Sequence, residues 1–360
     1  MTDTEALIVL NMVDGLGPVK IGRIIESFGS PSEALGAHVS ALGKVRGIGR
    51  ELAARIAGWD REIDLQAEIN LIKREAVKII TILDASYPVL LKEIYDPPPI
   101  LYVKGSILPE DGFAIAVVGS RRASRYGIDC AFRLGRDLSA RGVTVVSGMA
   151  RGIDTSAHRG ALRGGGRTIA VLGSGVNVIY PPENDGLARE IEESGAVVSE
   201  FPMNTIPDRM NFPMRNRTIS GLSRGVIVVE AAKKSGALIT ADFAAEQGRT
   251  VFAVPGRIDA YSSRGTLDLI KDGARMVAGI EDIMEEFGIC PGTPAPDAPR
   301  PRLSRNEETV YNLLGNEETP IDKIIAGSGL APGEVSAALL SLELKKLVRQ
   351  LPGKKFSRSI

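Results

Sequence analysis

The chain has 360 residues, enough for two or three domains, and its hydrophobic content of 44% supports buried cores. The formal net charge is zero, which excludes a global field that attracts nucleic acid, so a site for a polyanion has to be local. The only cysteines are Cys130 and Cys290, which excludes a disulfide framework and gives no metal-site spacing.

The start of the chain and its apolar runs predict a reduced, cytoplasmic protein without a membrane partner. Residues 1–7 (MTDTEAL) are acidic and lack the basic region of a signal peptide. No apolar run in the sequence reaches the length that crosses a bilayer.

Residues 1–68 are predicted to form a helical domain with two similar turns. Gly15-Leu-Gly and Gly47-Ile-Gly each stand before an amphipathic helix. This pattern resembles a helix-hairpin-helix motif, in which glycine lets the backbone amides approach a DNA phosphate. A tight turn between packed helices, with no ligand, gives the same short pattern, and the sequence alone favours neither strongly.

Residues 70–288 are predicted to form an α/β domain with an extended Rossmann-like, doubly wound parallel sheet. A bridge at 70–105, with a strand at 76–82, leads into it. Near-continuous apolar runs alternate with helical patterns, which is typical of parallel strands covered on both faces. The runs predicted as its strands lie at 113–118, 143–147, 167–172, 196–199, 225–229, 250–254 and 275–277.

The C-terminal part is predicted to be a proline-rich linker and a winged-helix domain. Residues 291–303 contain five prolines, which favours a semi-rigid, extended linker. In residues 304–360 the pattern predicts helices at 307–314, 321–328 and 332–346, then a hairpin with a basic turn. A winged helix binds duplex DNA or serves as a protein-interaction module. The third helix has few cations, which disfavours reading of a DNA groove.

Polar, glycine-rich loops follow the predicted strands and are expected to meet at one edge of the sheet, beyond the strands' carboxyl ends. The first loop resembles a phosphate-cradling turn, but it lacks a complete G-x-G-x-x-G and an acidic ribose ligand, so no cofactor is predicted. The candidate nucleic-acid ligands in the first three loops are Gly119, Ser120, Arg121, Arg122, Gly148, Gly173 and Ser174.

Segment 205–224 (TIPDRMNFPMRNRTISGLSR) carries the most informative pattern. A proline-bounded loop is predicted to deliver the aromatic ring, and Pro213 to open the helix that follows. An aromatic face, guanidinium groups and free amides in one place can hold a base by stacking and a phosphate by charge. A solvated helix start with a core phenylalanine is the alternative. The candidate ligands here are Arg209, Phe212, Arg215, Asn216 and Arg217.

No catalytic residue and no metal site are predicted. His158 is interpreted as a packing or capping histidine, on a helix for which Asp154 is the expected N-cap. Glu230 is interpreted as a buried carboxylate paired with an arginine rather than as a general base. The strand-end serines lack an evident His–acid pair, and no H-x-x-x-H or C-x-x-C cluster occurs.

The ordered motifs resemble the DNA-processing protein A family (DprA, also called Smf). They follow the family's order across nearly the whole chain. The matching phrases are VGSRRASRYG from Val118, SGMARGIDTSAH from Ser147, AVLGSGVNVIYP from Ala170, SEFP from Ser199, FPMRNRTISGLS from Phe212, VEA from Val229, SGALITA from Ser235 and VPG from Val254.

The resemblance implies a protein that binds single-stranded DNA, protects incoming DNA in natural transformation and loads the RecA recombinase, without enzymatic turnover. It also implies homodimers and a sterile-alpha-motif-like N-terminal domain. By position, Arg121 is implied as a phosphate ligand and Phe212 as a base-stacking aromatic. Arg209 stands where relatives use a DNA-contacting lysine. Of Arg215 and Arg217, one is implied to bind DNA and one to pair internally.

The alternative function is a nucleotide-processing enzyme, a LOG-like phosphoribohydrolase. The same sheet topology occurs there, and Ser235-Gly-Ala-Leu-Ile-Thr stands where those enzymes carry a Pro-Gly-Gly-x-Gly-Thr loop. The lost glycines, and the missing acidic pair after the threonine, argue against this alternative.

Overall fold

The computed structural model describes residues 1–288, 303–315, 318–345 and 347–358. The chain divides into two units, Met1–Thr293 and Pro294–Ile360. The predicted helical segment and the predicted sheet domain both belong to the first unit, and the predicted winged helix belongs to the second. Most of the predicted linker, residues 291–302, lies outside the described residues, as does Cys290.

Helices and a nine-stranded sheet build the described part of the first unit. The helices are α1 (Asp3–Met12), α2 (Pro18–Phe28), α3 (Pro31–Leu35), α4 (Val39–Leu42), α5 (Arg50–Ala57), α6 (Leu65–Arg74), α7 (Val89–Lys92), α8 (Arg125–Ser139), α9 (Ile153–Arg163), α10 (Asp185–Ser194), α11 (Asn211–Gly221), α12 (Gly236–Glu246), α13 (Arg264–Lys271) and α14 (Ile280–Glu286). The strands are β1 (Lys78–Thr81), β2 (Ile100–Gly105), β3 (Ala114–Val118), β4 (Thr144–Ser147), β5 (Thr168–Leu172), β6 (Ala196–Ser199), β7 (Gly225–Val228), β8 (Thr250–Ala253) and β9 (Arg275–Met276).

The strand order is β1-β2-β6-β5-β4-β3-β7-β8-β9. Strands β3 to β9 run parallel, so the predicted parallel sheet is confirmed, and each predicted strand end lies within one residue of the observed end. The sequence did not predict β2, which pairs antiparallel with both β1 and β6. Its apolar run of a few residues is too short for periodicity to distinguish a strand from a helix.

Alternate residues of the central strand β3 face opposite helical layers. Ala116 packs in the cluster that contains Ile219 of α11, whereas Val117 packs in the cluster that contains Leu134 of α8 and Ile153 of α9. Because both faces are covered, the parallel strands read as continuous apolar runs. The same packing aligns the strands' carboxyl ends, so the loops that follow β3, β4, β5, β6, β7 and β8 share one edge of the sheet.

The N-terminal helices contain the two predicted glycine turns. Gly15 and Gly47 have φ angles of 80° and 88°, and Gly17 and Gly49 are the N-caps of α2 and α5. Arg23 of α2 donates a hydrogen bond to the carbonyl of Arg46 at 3.2 Å, which ties α2 to the second turn. The contact of the two turns with phosphate stays a prediction.

The helical segment also contacts the sheet and the loop that follows β6. The Asn11 side chain donates to the carbonyl of Glu200 at 2.9 Å, and the Met203 amide donates to the Glu68 carboxylate at 2.9 Å. Burial raises the pKa of Glu68, an effect that the Met203 hydrogen bond opposes. These contacts fix the start of the loop that leads to Phe212.

The described part of the second unit has the predicted winged-helix elements. They are α15 (Arg305–Leu313), β10 (Thr319–Pro320), α16 (Ile321–Ser328), α17 (Pro332–Leu344), β11 (Val348–Leu351) and β12 (Lys355–Arg358). Val310, Ile324, Leu339 and Phe356 share its core. No single described helix of the chain is long and apolar enough to cross a membrane. Within the described residues, α16 and α17 reach that length and hydropathy jointly, across a bend of 114°.

Candidate functional site

A cavity of about 590 Å³ opens at the carboxyl edge of the sheet, where the sequence predicted a site. Its volume is within the range of about 300–1,000 Å³ that is usual for ligand pockets. Its lining includes five cationic side chains and a single carboxylate, that of Asp154, which is itself buried. The cavity therefore suits a negatively charged ligand. The five cations are Arg121, Arg122, Arg209, Arg215 and Lys234.

Phe212 stands in the first turn of α11, at the wall of this cavity. The helix begins at Asn211, so Pro213 lies inside the first turn and does not open the helix as predicted. Gly173, after β5, supports the ring. A Cβ at this glycine would lie 2.8 Å from Cδ1 of Phe212, so a side chain there would push the ring away.

Arg121 covers the Phe212 ring. The guanidinium carbon of Arg121 lies 4.7 Å from the ring centroid, a cation–π distance. Tyr180, from the loop after β5, lies with its ring centroid 5.9 Å away at an interplanar angle of 37°. The sequence predicted that Arg121 and Phe212 would meet at this edge, and the structure brings them into direct contact.

Four exposed cations of the lining lack a carboxylate partner within the described residues: Arg121, Arg122, Arg209 and Lys234. Two nearby cations outside this lining are neutralised, in the Arg151–Glu183 and Lys233–Asp268 pairs. An exposed cation without a carboxylate is available to a phosphate. The cavity therefore carries unpaired positive charge.

Arg215 is buried beneath the cavity and bonds to the ends of the strands. Its guanidinium donates to the carbonyls of Gly148 and Val171, and desolvation lowers its pKa to about 10. A Cβ at Gly148 would lie 2.4 Å from Nη1 of Arg215 and 2.8 Å from a carboxylate oxygen of Asp154. Gly148 is thus required by the close approach of these two charged groups. Arg215 also contributes to the cavity lining, and its contact with a ligand stays a prediction.

Arg217 points into the first unit, away from the cavity lining. Its guanidinium forms ion pairs with Glu200 and, at 3.2 Å, with Asp96, and its side chain is 3% exposed. Burial raises the pKa of Glu200, and Arg217 opposes that rise. The sequence expected one of Arg215 and Arg217 to pair internally. The structure buries both, because their partners come from distant parts of the chain.

Most of the remaining predicted residues line the cavity, and one supports the loop after β5. Gly119, Ser120, Arg122 and Asn216 line the cavity, and Asn216 also donates to the carbonyl of Gly236 at 3.2 Å. Ser174 is buried, and its hydroxyl donates to the carbonyl of Val178 at 2.7 Å. Ser174 therefore shapes the loop after β5 and is not part of the lining.

Two carboxylates near the cavity differ from their predicted roles. Glu230 has no arginine partner among the described residues. Instead it accepts hydrogen bonds from the amide and hydroxyl of Ser124, the N-cap of α8. Asp154 is not the N-cap of α9, which is Gly152; it lies in the first turn and accepts from the Ala150 amide at 3.3 Å. Burial raises the pKa of Asp154, and Arg215 opposes that rise.

His158 is a packing residue, as interpreted from the sequence. Its ring is completely buried, Nδ1 lies 2.7 Å from the Thr168 hydroxyl, and Nε2 has no hydrogen-bond partner. Burial lowers its pKa to about 3, so the imidazole is neutral at neutral pH.

Sequence reasoning missed Tyr180, Lys234 and Tyr261 as site residues. Lys234 and Tyr261 line the cavity, and Tyr180 faces Phe212. Each follows the carboxyl end of a parallel strand, which is the signal that could have identified them. The loop after β8 was overlooked because it lacks the glycine- and serine-rich pattern of the other loops.

Residues 78–288 match the family model described as DNA recombination-mediator protein A, and residues 294–354 match the DprA winged helix domain. The chain belongs to the DprA family. The resemblance predicted from the ordered motifs is therefore confirmed, and so is the winged-helix assignment of the second unit. Members of the DprA family compared below are named as DNA-processing or Smf proteins.

Curated DprA-family relatives align over most of the chain. Protein Smf of Escherichia coli is 38% identical over 98% of this chain and 95% of its own length. Protein Smf of Synechocystis is 35% identical over 97% of both chains. The DNA processing protein DprA of Bacillus subtilis is 44% identical over 60% of this chain and 73% of its own length.

Two solved DprA structures share the fold. DNA processing protein A of Streptococcus pneumoniae superposes with a TM-score of 0.69 at 37% identity, covering 79% of this chain and 98% of its own. The Helicobacter pylori DprA, whose structure describes its binding of single-stranded DNA, gives a TM-score of 0.53 at 30% identity, covering 58% of this chain and 95% of its own.

Proposed function

We propose that this protein binds single-stranded DNA at the cavity, with phosphates on Arg121 and Arg209 and a base on Phe212. The observation that carries the proposal is the cluster of exposed, unpaired arginines around an exposed part of an aromatic ring. Stacking on an aromatic side chain is tolerant of sequence, because every base has a π-face. The single-stranded DNA binding described for the Helicobacter pylori relative supports the same ligand class.

Binding requires Arg121 to leave the Phe212 ring. The base then takes the place of the guanidinium, which moves to the adjacent phosphate as a bidentate donor. In this exchange the ring loses a cation–π contact and gains a stacked base, while the arginine gains a charged partner. The Gly119–Ser120 turn and Arg122 line the approach to the same position.

The other predicted ligands act in this proposal by shaping the cavity. Gly148 and Gly173 leave room for Arg215 and Phe212, and Ser174 holds the loop after β5. Arg215 holds α11 against β5, Asn216 ties it to the start of α12, and Arg217 ties it to Asp96. Loss of these side chains is expected to act on the fold of the site, and through it on DNA.

We further propose that the protein, as a homodimer, loads a RecA-type recombinase onto the bound strand during transformation or recombination. The description of the matching family as a recombination mediator supports this role. One cavity per protomer gives modest affinity, and a dimer that engages one strand with two cavities gains avidity. A phosphoribohydrolase activity is disfavoured because Glu230, its candidate base, is bonded to Ser124 at the N-cap of α8.

The direct test is a titration of fluorescent oligo-dT and of a duplex of the same length, each at two salt concentrations. We expect tight binding to the single strand, weaker binding to the duplex, and an affinity that falls with salt as phosphates displace counterions. Equal affinity for both, or binding to neither, contradicts the proposal. Release of a nucleobase from a nucleoside phosphate, abolished by Glu230→Gln, would instead support the hydrolase.

A further inference from the structure

The loop after β8, residues 255–263, extends the cavity beyond the predicted site. Tyr261 lies on this loop, lines the same cavity as Phe212, and is 65% exposed. The base of the loop is fixed to α8, since the Tyr126 hydroxyl donates to the carbonyl of Pro255 at 3.1 Å. A large aromatic ring is therefore presented to solvent on an anchored loop, at the wall of a cationic cavity.

Tyr261 repeats the arrangement seen at Phe212. The guanidinium carbon of Arg264 lies 5.8 Å from the Tyr261 ring centroid, as that of Arg121 lies 4.7 Å from the Phe212 centroid. Arg264 has no carboxylate partner within the described residues, whereas Arg257, on the same loop as Tyr261, pairs with Asp259 at 2.8 Å. An aromatic ring next to an unpaired arginine offers a base a stacking face and its phosphate a charge.

The strand order places a further cation between the two rings. Strand β7 lies between β3 and β8 in the sheet, so the loop carrying Lys234 lies between the loops carrying Arg121 and Tyr261. Lys234 lines the cavity and is unpaired among the described residues, whereas its neighbour Lys233 pairs with Asp268 at 3.6 Å. The order along the edge is thus the Phe212 ring, the Arg121 guanidinium, the Lys234 ammonium and the Tyr261 ring.

We propose that Tyr261 is a second base-stacking platform and that Lys234 holds a phosphate between the two platforms. This inference rests on the proposed function and deepens it, because one strand then runs along the edge from Phe212 to Tyr261. The ligand is a single strand of more than one nucleotide. A mononucleotide fills only one platform, so affinity rises with strand length until both are occupied.

The test is a ladder of fluorescent oligo-dT lengths, from dT2 upward, titrated against the full-length wild type, Tyr261→Ala, Tyr261→Phe, Lys234→Ala and Phe212→Ala. Tyr95→Ala is the matched control, because Tyr95 is 83% exposed and does not line the cavity. Tyr261→Ala is expected to bind the shortest strands like the wild type. For longer strands, loss of one stacked base weakens binding by about 5- to 150-fold.

Tyr261→Phe keeps a stacking face and is expected to bind strands of every length with the affinity of the wild type. Lys234→Ala is expected to make the log–log salt dependence for long strands shallower by about 0.7, the contribution of one phosphate on a single strand. If Tyr261→Ala binds strands of every length as tightly as Tyr95→Ala does, while Phe212→Ala binds them more weakly, the second platform is wrong and the proposed function stands. If the wild type binds no strand of any length, both are wrong.

Discussion

The guanidinium carbon of Arg121 lies 4.7 Å from the centroid of the Phe212 ring, so the two residues best placed to bind a nucleotide bind each other in the free protein. A cation–π contact at an exposed site is worth about 0.5–1 kcal/mol. A base stacked on an aromatic side chain is worth about 1–3 kcal/mol. Because stacking is the stronger contact, the base in the proposed complex would displace Arg121 from the Phe212 ring.

Removal of the Phe212 ring is expected to weaken binding without unfolding the protein. Phe212→Ala deletes one stacked base and should lower the affinity for oligo-dT by about 5- to 150-fold, whereas Phe212→Trp should retain it. Fluorescence anisotropy measures both. Met210→Ala is the control, since Met210 is an exposed side chain close in sequence. If Phe212→Ala binds oligo-dT with the same affinity as the control, the Phe212 ring is not part of the proposed site.

Removal of the Arg121 charge is expected to change the salt dependence of binding. Arg121→Ala should make the slope of log affinity against log salt shallower by about 0.7, because one fewer phosphate is neutralised. Arg121→Lys should keep the slope. Arg189→Ala is the control, since Arg189 lies on α10 in an exposed pair with Asp185. If Arg121→Ala leaves this slope unchanged, Arg121 supports the structure of the loop and does not contact a phosphate.

The Arg217–Glu200 ion pair is expected to matter for stability and not for DNA contact. Arg217→Met leaves the buried Glu200 carboxylate without its cationic partner, a loss that costs about 3–5 kcal/mol in a buried pair. The double variant Arg217→Met/Glu200→Gln removes the stranded charge and should recover part of the loss. Urea unfolding followed by the fluorescence of Trp59, the single tryptophan of the chain, measures both.

The matched control for this pair is Arg189→Met, which breaks an exposed pair and should change stability by less than about 1 kcal/mol. The folded double variant is expected to bind oligo-dT like the wild type. Weakened DNA binding by a variant of unchanged stability would show that Arg217 contacts the ligand after all.

The protein is expected to become less stable as pH decreases, because of the titration of His158. Burial lowers the pKa of His158 from 6.5 to about 3, so between these values the unfolded chain binds a proton that the folded protein does not. Its contribution to stability is complete above about pH 6.5 and is lost as pH falls toward 3. His158→Gln should flatten this dependence by up to about 1.4 kcal/mol per pH unit.

Urea unfolding at a series of pH values between 3 and 7 measures the effect of His158→Gln on the slope. The control is His38→Gln, which removes a histidine at an exposed position of the N-terminal segment. Equal slopes for His158→Gln and the wild type would mean that His158 takes up its proton equally in the folded and unfolded states.

The position of the site was predictable because it depends on local patterns. Apolar runs such as that of β3 predict buried parallel strands, and the polar loops after them must meet at one edge whatever the details of packing. The same patterns, in order, predicted the family. Phe212, Arg121 and Arg209, which the sequence singled out, all line the cavity at this edge, and their contacts with DNA stay predictions.

Only the tertiary structure decided which cations are free. Arg215 bonds to Gly148, 67 positions away, and Arg217 bonds to the carbonyl of Asp96, 121 positions away. A guanidinium has the same sequence signature whether it faces solvent or a buried carboxylate, because its environment is set by residues that the fold brings from far along the chain. Likewise, Tyr261 joined the site only because β8 lies beside β7 in the sheet.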